Sequence, residues 1–274
     1  MLNEINHWRY RLYPYFQNFA LELGLLGGHR DYDRFIILGR SRIGSNFLRG
    51  LLNTHSQIVV LGELFQNQSA IGWAYPGYLN TPRMYSLFLN NPVKFIEKKV
   101  YKKFPLKVSA VGFKIFYYHA QNENWKPVWD YFRDLKSIKI IHIKRKNILR
   151  THLSRKLAAL TDAWVDTNGG LWEGGVVRLD YEDCLHDFVQ TRQWEQTYDA
   201  LFENHPLVEI FYEDLARDYS VVMRQVQEFL GVPPEDVQPQ TFKQSSQPLT
   251  QVISNYVELK KRFSGTEWEA FFEE

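Results

Sequence analysis

Two glycines and two arginines lie close together in the segment 39–46, which reads Gly-Arg-Ser-Arg-Ile-Gly-Ser-Asn. Gly39 and Gly44 have the spacing at which successive backbone N–H groups of a loop can surround a phosphate. Arg42 places a cation inside this loop, and Arg40 stands beside it. The segment therefore predicts an anion site at the start of a helix, where the helix dipole also favours negative charge. A surface turn with solvated arginines is the alternative interpretation.

The two residues after Gly44 argue against a nucleoside triphosphate as the ligand. Ser45 stands where a triphosphate-binding loop has the lysine that reaches the β- and γ-phosphates, and Asn46 stands where that loop has its magnesium-binding hydroxyl. A hydroxyl and an amide suit an anion with fewer charges, bound without metal. The eight histidines are scattered, and no second cysteine is present to form a metal site.

A second basic group follows the predicted strand 138–143. Lys144, Arg145 and Lys146 come directly after this strand, and Ser154 lies further along the helix that follows. Basic residues at the carboxyl end of a parallel strand face the edge at which α/β sheets bind ligands. Two anion sites imply a ligand with two separated phosphates.

Short apolar runs alternate with amphipathic segments along most of the chain. The predicted strands are 35–39, 58–61, 110–118, 138–143 and 208–211, and the predicted helices between and around them are 47–53, 127–136, 178–204 and 219–230. This alternation predicts an α/β fold, a three-layer sandwich with a central parallel sheet and a P-loop-like strand-loop-helix.

Further elements are predicted outside this alternation. An aromatic N-terminal helix, residues 6–24, should be interrupted at Pro14, and a basic helix, residues 93–104, should carry its lysines on a solvated face. Lys114 interrupts the apolar strand 110–118. A lysine inside a buried strand must find an anion or extend its ammonium to the surface.

The anion loop and the second basic group resemble two motifs of sulfotransferases that use 3′-phosphoadenosine 5′-phosphosulfate (PAPS). The loop resembles the family's P-[KR]-S-G-[ST]-[TS]-x-L segment, with Arg42 on the Lys/Arg position. The second group resembles the family's arginine followed by a serine eight residues later. Ser154 is nine residues after Arg145 and eight after Lys146, so either cation could take the arginine's place.

A third resemblance lies nearer the carboxyl end. Residues 212–215 read Tyr-Glu-Asp-Leu and residues 229–231 read Phe-Leu-Gly, as in the family. The three motifs occur in the family's order and span roughly residues 34–232. The pattern resembles in particular the bacterial carbohydrate sulfotransferases of nodulation-factor type, whose second strand also ends in Gly-Glu, here Gly62 and Glu63.

The resemblance implies a donor site, a set of catalytic groups and a PAPS donor with the product 3′-phosphoadenosine 5′-phosphate (PAP), without metal. The donor-binding residues it implies are Arg40, Ser41, Arg42, Ile43, Gly44, Ser45, Asn46, Arg145, Lys146, Ser154, Arg262 and Gly265. The catalytic residues it implies are Arg42, Glu63, Lys114 and His119. Arg42 and Lys114 would stabilise charge, and Glu63 would accept the proton of the acceptor hydroxyl.

Three alternatives stay open at this point. Glu63 could be a structural ion-pair partner of Arg40 or Arg42, in which case His119 would be the base. The chain could be a P-loop-type kinase, although Ser45 and Asn46 argue against that reading. It could also be a nucleotide- or glycan-binding module of the same fold without catalytic activity.

Composition agrees with a globular enzyme. The 274 residues are 45% hydrophobic and 16% aromatic, which favours one folded α/β domain over 1–274. The formal net charge of +2 indicates no broad field for nucleic acid. The single cysteine, Cys184, excludes an internal disulfide, and no long apolar span is present, so we expect a cytoplasmic protein.

Segments outside the sheet suggest the partners. Residues 1–30 are predicted to form a helical extension whose aromatic stripe could pair two copies into a homodimer. The stretches 66–90 and 162–176 are rich in aromatic residues and glycine or turn residues, which indicates loops that bind the acceptor. The expected acceptor is a hydroxyl-bearing glycan or small molecule.

Overall fold

The computed structural model describes residues 2–161, 176–239 and 247–273. The strands are β1 (Gly28–His29), β2 (Asp33–Gly39), β3 (Ile58–Glu63), β4 (Phe104–Pro105), β5 (Ala110–Phe116), β6 (Lys139–Lys144) and β7 (Leu207–Phe211). The helices are α1 (Leu2–Glu22), α2 (Ser45–Leu52), α3 (Pro82–Asn90), α4 (Pro92–Phe95), α5 (Pro127–Asp134), α6 (Ile148–Thr161), α7 (Tyr181–Leu201), α8 (Tyr212–Arg217), α9 (Tyr219–Phe229), α10 (Leu249–Val252) and α11 (Tyr256–Phe263).

Five strands form the central sheet, in the order β3-β5-β2-β6-β7. Each neighbouring pair is parallel. Parallel strands need crossover connections, and their carboxyl ends then meet at one edge. The segments that follow β2, β3, β5 and β6 therefore converge there, which confirms the predicted parallel α/β sheet.

Each face of the sheet is covered by helices, because the strands are apolar on both sides. On one face, Phe65, Phe88 and Trp125 are fully or almost fully buried in a core that also includes side chains of α5. On the other face, Leu48 of α2 and Val226 of α9 pack against Ile37 and other strand residues. These layers form the predicted three-layer sandwich.

A third core joins α6 and α7 to the carboxyl-terminal segment. Phe188 of α7 contacts the rings of Phe263 and Phe271, with centroids 5.4 Å and 5.1 Å away. Leu149 of α6 is buried in the same cluster. The carboxyl-terminal helices therefore brace the two helices that flank the carboxyl edge of the sheet.

The N-terminal helix differs from its prediction at Pro14. Helix α1 runs from Leu2 to Glu22 and includes this proline. A proline removes one intrahelical hydrogen bond, and the helix continues past it. Near its end Ala20 and Leu21 are buried against the body of the protein, which fixes this part of α1 by packing.

The predicted basic helix 93–104 is wrong in its second half. Helix α4 passes into a single π-helical segment, Ile96–Val100, and Phe104 belongs to strand β4. Lys102 is buried rather than solvated, with its ammonium 4.5 Å from the centre of the Tyr78 ring. Burial lowers the pKa of Lys102 to about 8.

The two predicted loops fare differently. Residues 82–90 form helix α3, which Thr81 caps by accepting from the Met84 N–H. Residues 66–81 remain irregular, as predicted. Most of the second loop, 162–175, lies outside the described residues.

Candidate active site

The anion loop connects β2 to α2. Gly44 has φ +83°, and a Cβ there would lie 2.2 Å from Cδ2 of Tyr212. Only glycine accepts both the left-handed backbone and this contact. Gly44 gives α2 no side-chain cap. The first N–H groups of α2 are therefore open to an external acceptor, as in other anion sites at helix N-termini.

Arg42 holds a strained backbone inside this loop. Its φ is +67°, a value that residues other than glycine rarely adopt. Its Nε donates to Oγ of Ser154 on α6 over 2.9 Å. Burial, followed by the nearby charge of Arg145, lowers the pKa of Arg42. The strained loop and α6 thus meet through two residues that were predicted to bind the donor.

Arg145 approaches the loop from the end of β6. It donates from Nη1 to the carbonyl of Arg42 over 3.0 Å, and its guanidinium lies 4.7 Å from the centre of the Tyr212 ring. Its Nε is buried without a hydrogen-bond partner among the described residues, with Glu213 Oε1 3.8 Å away. Arg145 is therefore a cation with an unused donor beside the loop.

The Lys146 side chain is directed toward Asp214 rather than toward Arg42. Its side chain is 52% exposed, and its ammonium is 2.9 Å from Oδ2 of Asp214. It also lies over the Phe211 ring, 5.0 Å from the centroid. Of the two cations that the sequence left open, Arg145 is the one in contact with Arg42.

Lys114 links the loop to Glu63. Its ammonium is 2.8 Å from Oε1 of Glu63, 2.5 Å from Oδ1 of Asn46 and 3.4 Å from Oγ of Ser45. The ammonium is almost fully buried, whereas the Glu63 side chain is 24% exposed. Burial lowers the pKa of Lys114, and the Glu63 charge opposes that shift. We call these four residues the Lys114 centre.

A bulge in β3 brings Glu63 to this position. The pairing of β3 with β5 shifts register between Leu61 and Glu63, which places Glu63 opposite Lys114. At the bulge the Gly62 N–H donates to the Trp73 carbonyl over 2.6 Å. The sequence predicted both residues at the carboxyl edge, but it named Arg40 or Arg42 as the ion-pair partner of Glu63. The ion pair with Lys114 was not anticipated.

His119 lies just beyond β5 and is 2% exposed. Its Nδ1 accepts the Phe116 N–H over 3.2 Å, so the neutral ring carries its proton on Nε2. That nitrogen is buried without a partner among the described residues. Burial lowers the pKa of His119 to about 4, against the opposing charge of Glu63. At neutral pH the ring is thus a hydrogen-bond donor rather than a free base.

Arg40 faces away from these groups, toward α7. Its two Nη atoms donate to Thr191 and, over 2.9 Å, to Oδ1 of Asp187. Oδ2 of Asp187 is 3.2 Å from Nδ1 of His152 and 2.5 Å from Nη2 of Arg155. We call these five residues the Asp187 centre.

The charge at the Asp187 centre is well compensated. Burial alone would raise the pKa of Asp187, but the His152 hydrogen bond and the Arg40 and Arg155 charges hold it well below the ordinary value. This centre was not predicted from the sequence. The available signal was the polar pair Asp187 and Thr191, one turn apart on a predicted helix face that also carries Phe188.

The remaining predicted donor residues occupy several positions. Ser41 donates its N–H to the Tyr118 hydroxyl over 3.1 Å, and Ile43 is buried against the sheet. Arg262 stacks on the Tyr181 ring, 3.7 Å from its centroid. The Gly265 N–H donates to Glu269 over 2.8 Å. For Arg262 and Gly265 the described contacts join α11 to its surroundings, and their donor role stays a prediction.

The donor set at this edge fits a phosphorylated ligand. One connected set of contacts joins three kinds of donor at this edge. They are the uncapped N–H groups of α2, the buried cation Lys114, and Nε of Arg145, which has no hydrogen-bond partner among the described residues. Within the described ranges, no three His, Cys, Asp or Glu side chains are grouped to hold a metal ion. Nor does any described helix have the length and apolarity needed to cross a membrane.

Comparison with known proteins shows what the chain is similar to. A family model for the sulfotransferase domain matches residues 181–273, which include the Asp187 centre's helix and the carboxyl-terminal core. Nodulation protein H of Rhizobium tropici is 27% identical over 244 residues, covering 87% of this chain and 92% of that protein. Nodulation protein H of Rhizobium meliloti strain 1021 is 25% identical over 249 residues, covering 87% and 94%.

Two solved structures also match. A sulfotransferase from Alicyclobacillus acidocaldarius aligns with TM-score 0.49 and 16% identity, covering 84% of this chain and 91% of that one. A mouse sulfotransferase complexed with PAP aligns with TM-score 0.35 and 17% identity, covering 78% and 64%.

The family model shows that residues 181–273 are similar to the sulfotransferase domain, the family that the motifs of this chain resemble. The chain is similar to nodulation protein H along most of its length.

Proposed function

We propose that this enzyme moves a sulfuryl group from PAPS to a hydroxyl of a carbohydrate, glycolipid or related small molecule. The observation that carries this proposal is the Lys114 centre, in which one buried ammonium joins the start of α2 to a partly exposed carboxylate. Sulfuryl transfer to a hydroxyl requires a cation that stabilises the developing negative charge and a base, here a carboxylate, that accepts the hydroxyl proton. The resemblance of the motifs to carbohydrate sulfotransferases of nodulation-factor type implies a carbohydrate-type acceptor.

In this proposal the two phosphate groups of the donor bind to different groups of residues. The N–H groups of residues 43–46 and the Arg42 guanidinium would bind the 5′-phosphosulfate. Arg145 and Ser154 would bind the 3′-phosphate, since both already contact Arg42. Nε of Arg145 has no hydrogen-bond partner among the described residues, which supports this assignment over Lys146, whose ammonium is bonded to Asp214.

In the reaction the acceptor oxygen would bond to sulfur as the bond between sulfur and the 5′-phosphate oxygen breaks. Glu63 takes the hydroxyl proton, and the electron pair of the broken bond stays on the phosphate oxygen. Arg42 and the loop N–H groups stabilise that oxygen, while Lys114 faces the sulfuryl oxygens.

His119 serves this reaction as a donor. With its proton on Nε2 and Nδ1 bonded to the Phe116 N–H, the ring can orient an oxygen atom but has no free lone pair for a proton. Glu63 is therefore our preferred base.

The irregular segment 66–81 is the proposed acceptor loop in the described part of the chain. Gly72 packs directly on the Glu63 backbone, where a Cβ on Gly72 would lie 2.3 Å from the Glu63 carbonyl oxygen. Trp73 stacks on Tyr78 with ring centroids 4.2 Å apart. A stiff aromatic loop held against the base is suited to positioning a sugar hydroxyl. Residues 162–176 are proposed as the second acceptor loop on sequence grounds.

A thermal-shift experiment tests the donor assignment. Ligands that bind only the folded state raise the melting temperature, so PAP should stabilise the protein more than AMP or ATP with magnesium does. Equal shifts for PAP and AMP would overturn the 3′-phosphate site. A larger shift with ATP and magnesium would favour the kinase alternative. PAP binding without transfer of labelled sulfate to any glycan or lipid fraction would favour a binding module.

We also propose that α1 pairs two copies of the chain. Leu12, Phe16 and Phe19 of α1 and Leu23 just after it are each more than half exposed, and their 4-3-4 spacing continues one seam of the helix. Light scattering should give a dimer that becomes monomeric when Phe16 and Phe19 are replaced by Ser. A monomeric wild-type protein at micromolar concentration would contradict this.

A cytoplasmic location is proposed on the cysteine content. Cys184 is free and buried, and burial raises the pKa of its thiol to about 12. Fractionation of the source cells would test the location.

A further inference from the structure

The Lys114 ammonium is bonded on two sides. On one side it contacts Asn46 and Ser45, which open helix α2, and on the other it contacts Glu63 at the end of β3. The lysine is 1% exposed, so water cannot replace a lost partner without rearrangement. A buried charge keeps its ionised form only while a partner of opposite charge or good hydrogen bonds compensate it.

The two kinds of partner differ in what they can do. Asn46 and Ser45 offer neutral oxygens and are fixed in the first turn of α2. Glu63 supplies the charge and is more exposed, with 24% of its side chain open to solvent. Sulfuryl oxygens of a donor bound at the start of α2 would therefore compete with Glu63 for the same ammonium.

We propose that Lys114 couples the donor site to Glu63, so that binding of a sulfuryl-bearing donor releases Glu63 from its ion pair. Before the donor binds, Lys114 holds one carboxylate oxygen of Glu63 at 2.8 Å. The anionic sulfuryl oxygens then take over the ammonium, and Asn46 keeps the ammonium in place during the exchange. The freed carboxylate can accept a hydrogen bond from the acceptor hydroxyl.

An ordered reaction follows from this exchange. If the acceptor binds before the donor, the Glu63 carboxylate is still bonded to Lys114. If the acceptor binds after the donor, the Glu63 carboxylate is free to accept a hydrogen bond from its hydroxyl. This inference rests on the proposed function, because it requires a sulfuryl-bearing donor at α2. PAP lacks the sulfuryl group and should leave the Lys114 and Glu63 pair intact.

Calorimetric binding of PAPS and PAP to the full chain, without acceptor, tests the coupling. In Glu63→Gln the ammonium no longer has to leave a carboxylate, so PAPS should bind about tenfold more tightly while PAP changes by less than about twofold. If Glu63→Gln strengthens PAP and PAPS binding equally, simple charge repulsion explains the result and the coupling is overturned.

A double-mutant cycle tests whether Lys114 carries the coupling between the donor site and Glu63. In the Lys114→Met background the effect of Glu63→Gln on PAPS affinity should disappear. A tightening that persists without Lys114 would overturn the proposal. The comparison of PAP with PAPS in Glu63→Gln alone still decides the matter if Lys114→Met does not fold.

Wild-type binding separates this proposal from the function on which it rests. If neither PAP nor PAPS binds the wild-type protein, the proposed function fails. If both bind but Glu63→Gln does not discriminate between them, only the coupling fails. Glu123→Gln is the matched control, because it removes an exposed carboxylate that is paired with Lys126, and it should change neither affinity.

Discussion

The Lys114 centre and the Asp187 centre are both buried charge clusters that contact the β2–α2 loop, yet they are built in opposite ways. At the Asp187 centre one carboxylate, 12% exposed, is surrounded by Arg40, Arg155 and His152. At the Lys114 centre one ammonium, on a side chain 2% exposed, has Glu63 as its one charged partner in the described part of the chain, and the Glu63 side chain is 24% exposed.

This difference separates a fixed cluster from an exchangeable one. Two arginines and the His152 hydrogen bond hold Asp187, so losing one contact leaves the others in place, and the centre ties the loop to α6 and α7. Lys114 depends on Glu63 for charge compensation, so a ligand anion can substitute for it. The comparison predicts that mutations at the Asp187 centre act on stability and that mutations at the Lys114 centre act on turnover.

Glu63→Gln should give the largest functional effect. The amide keeps a hydrogen bond to Lys114 but cannot take a proton, so kcat should fall by about 10² to 10⁴. Steady-state kinetics and thermal unfolding would be measured together. If turnover per folded molecule is unchanged while the melting temperature falls, Glu63 is a structural residue and the distinction between the two centres is lost.

Asp187→Ala should give the largest loss of stability. It leaves the buried Arg40 and His152 and the partly buried Arg155 without their carboxylate, at a cost of about 3 to 5 kcal/mol in the free energy of unfolding. Urea denaturation measures this loss. Asp183→Ala, one turn earlier on α7, removes an exposed pair with Lys156 and should cost less than about 1 kcal/mol. Similar losses in both variants would contradict a special role for Asp187.

Arg145→Ala should weaken PAP binding by about 10- to 100-fold, since one or two charge-assisted hydrogen bonds are lost. Lys146→Ala changes the adjacent residue, whose ammonium is exposed and bonded to Asp214, and should weaken binding by less than about threefold. Calorimetry with PAP compares the two. The reverse order would assign the 3′-phosphate to Lys146.

The smallest expected effect is a pH dependence of stability from His119. Its folded-state pKa is about 4, below the ordinary 6.5, so between these values the unfolded chain binds a proton that the folded chain does not. Stability should therefore decrease as the pH falls through this window, by about 2 kcal/mol at pH 5 from this group.

Urea denaturation at several pH values checks this prediction. His119→Asn should reduce the loss of stability between pH 7 and pH 5, whereas His186→Asn, at an exposed position, should leave it unchanged. An identical pH slope in wild type and His119→Asn would show that His119 is not held neutral by the fold.

Most of the sheet could be predicted from the sequence, because its strands are short apolar runs. Helices cover both faces of the parallel sheet, so the strands are apolar on both sides. The predicted strand 35–39 lies within β2, and 58–61 and 138–143 overlap β3 and β6. The basic segment 93–104 was misjudged because local charge suggested a solvated helix, whereas packing of Lys102 against Tyr78 fixed a different path.

The sequence by itself determined the residue types at the carboxyl edge: the glycine spacing, Arg42, Glu63, Lys114 and the basic group after β6. Their chemistry follows from side-chain type and from position at strand ends, both of which are local properties. Only the tertiary structure decided their partners. Lys114 meets Glu63 through a one-residue bulge, and Arg40 meets Asp187 across 147 residues of sequence. Such pairings depend on how elements far apart in the sequence pack together, and no local sequence pattern encodes that packing.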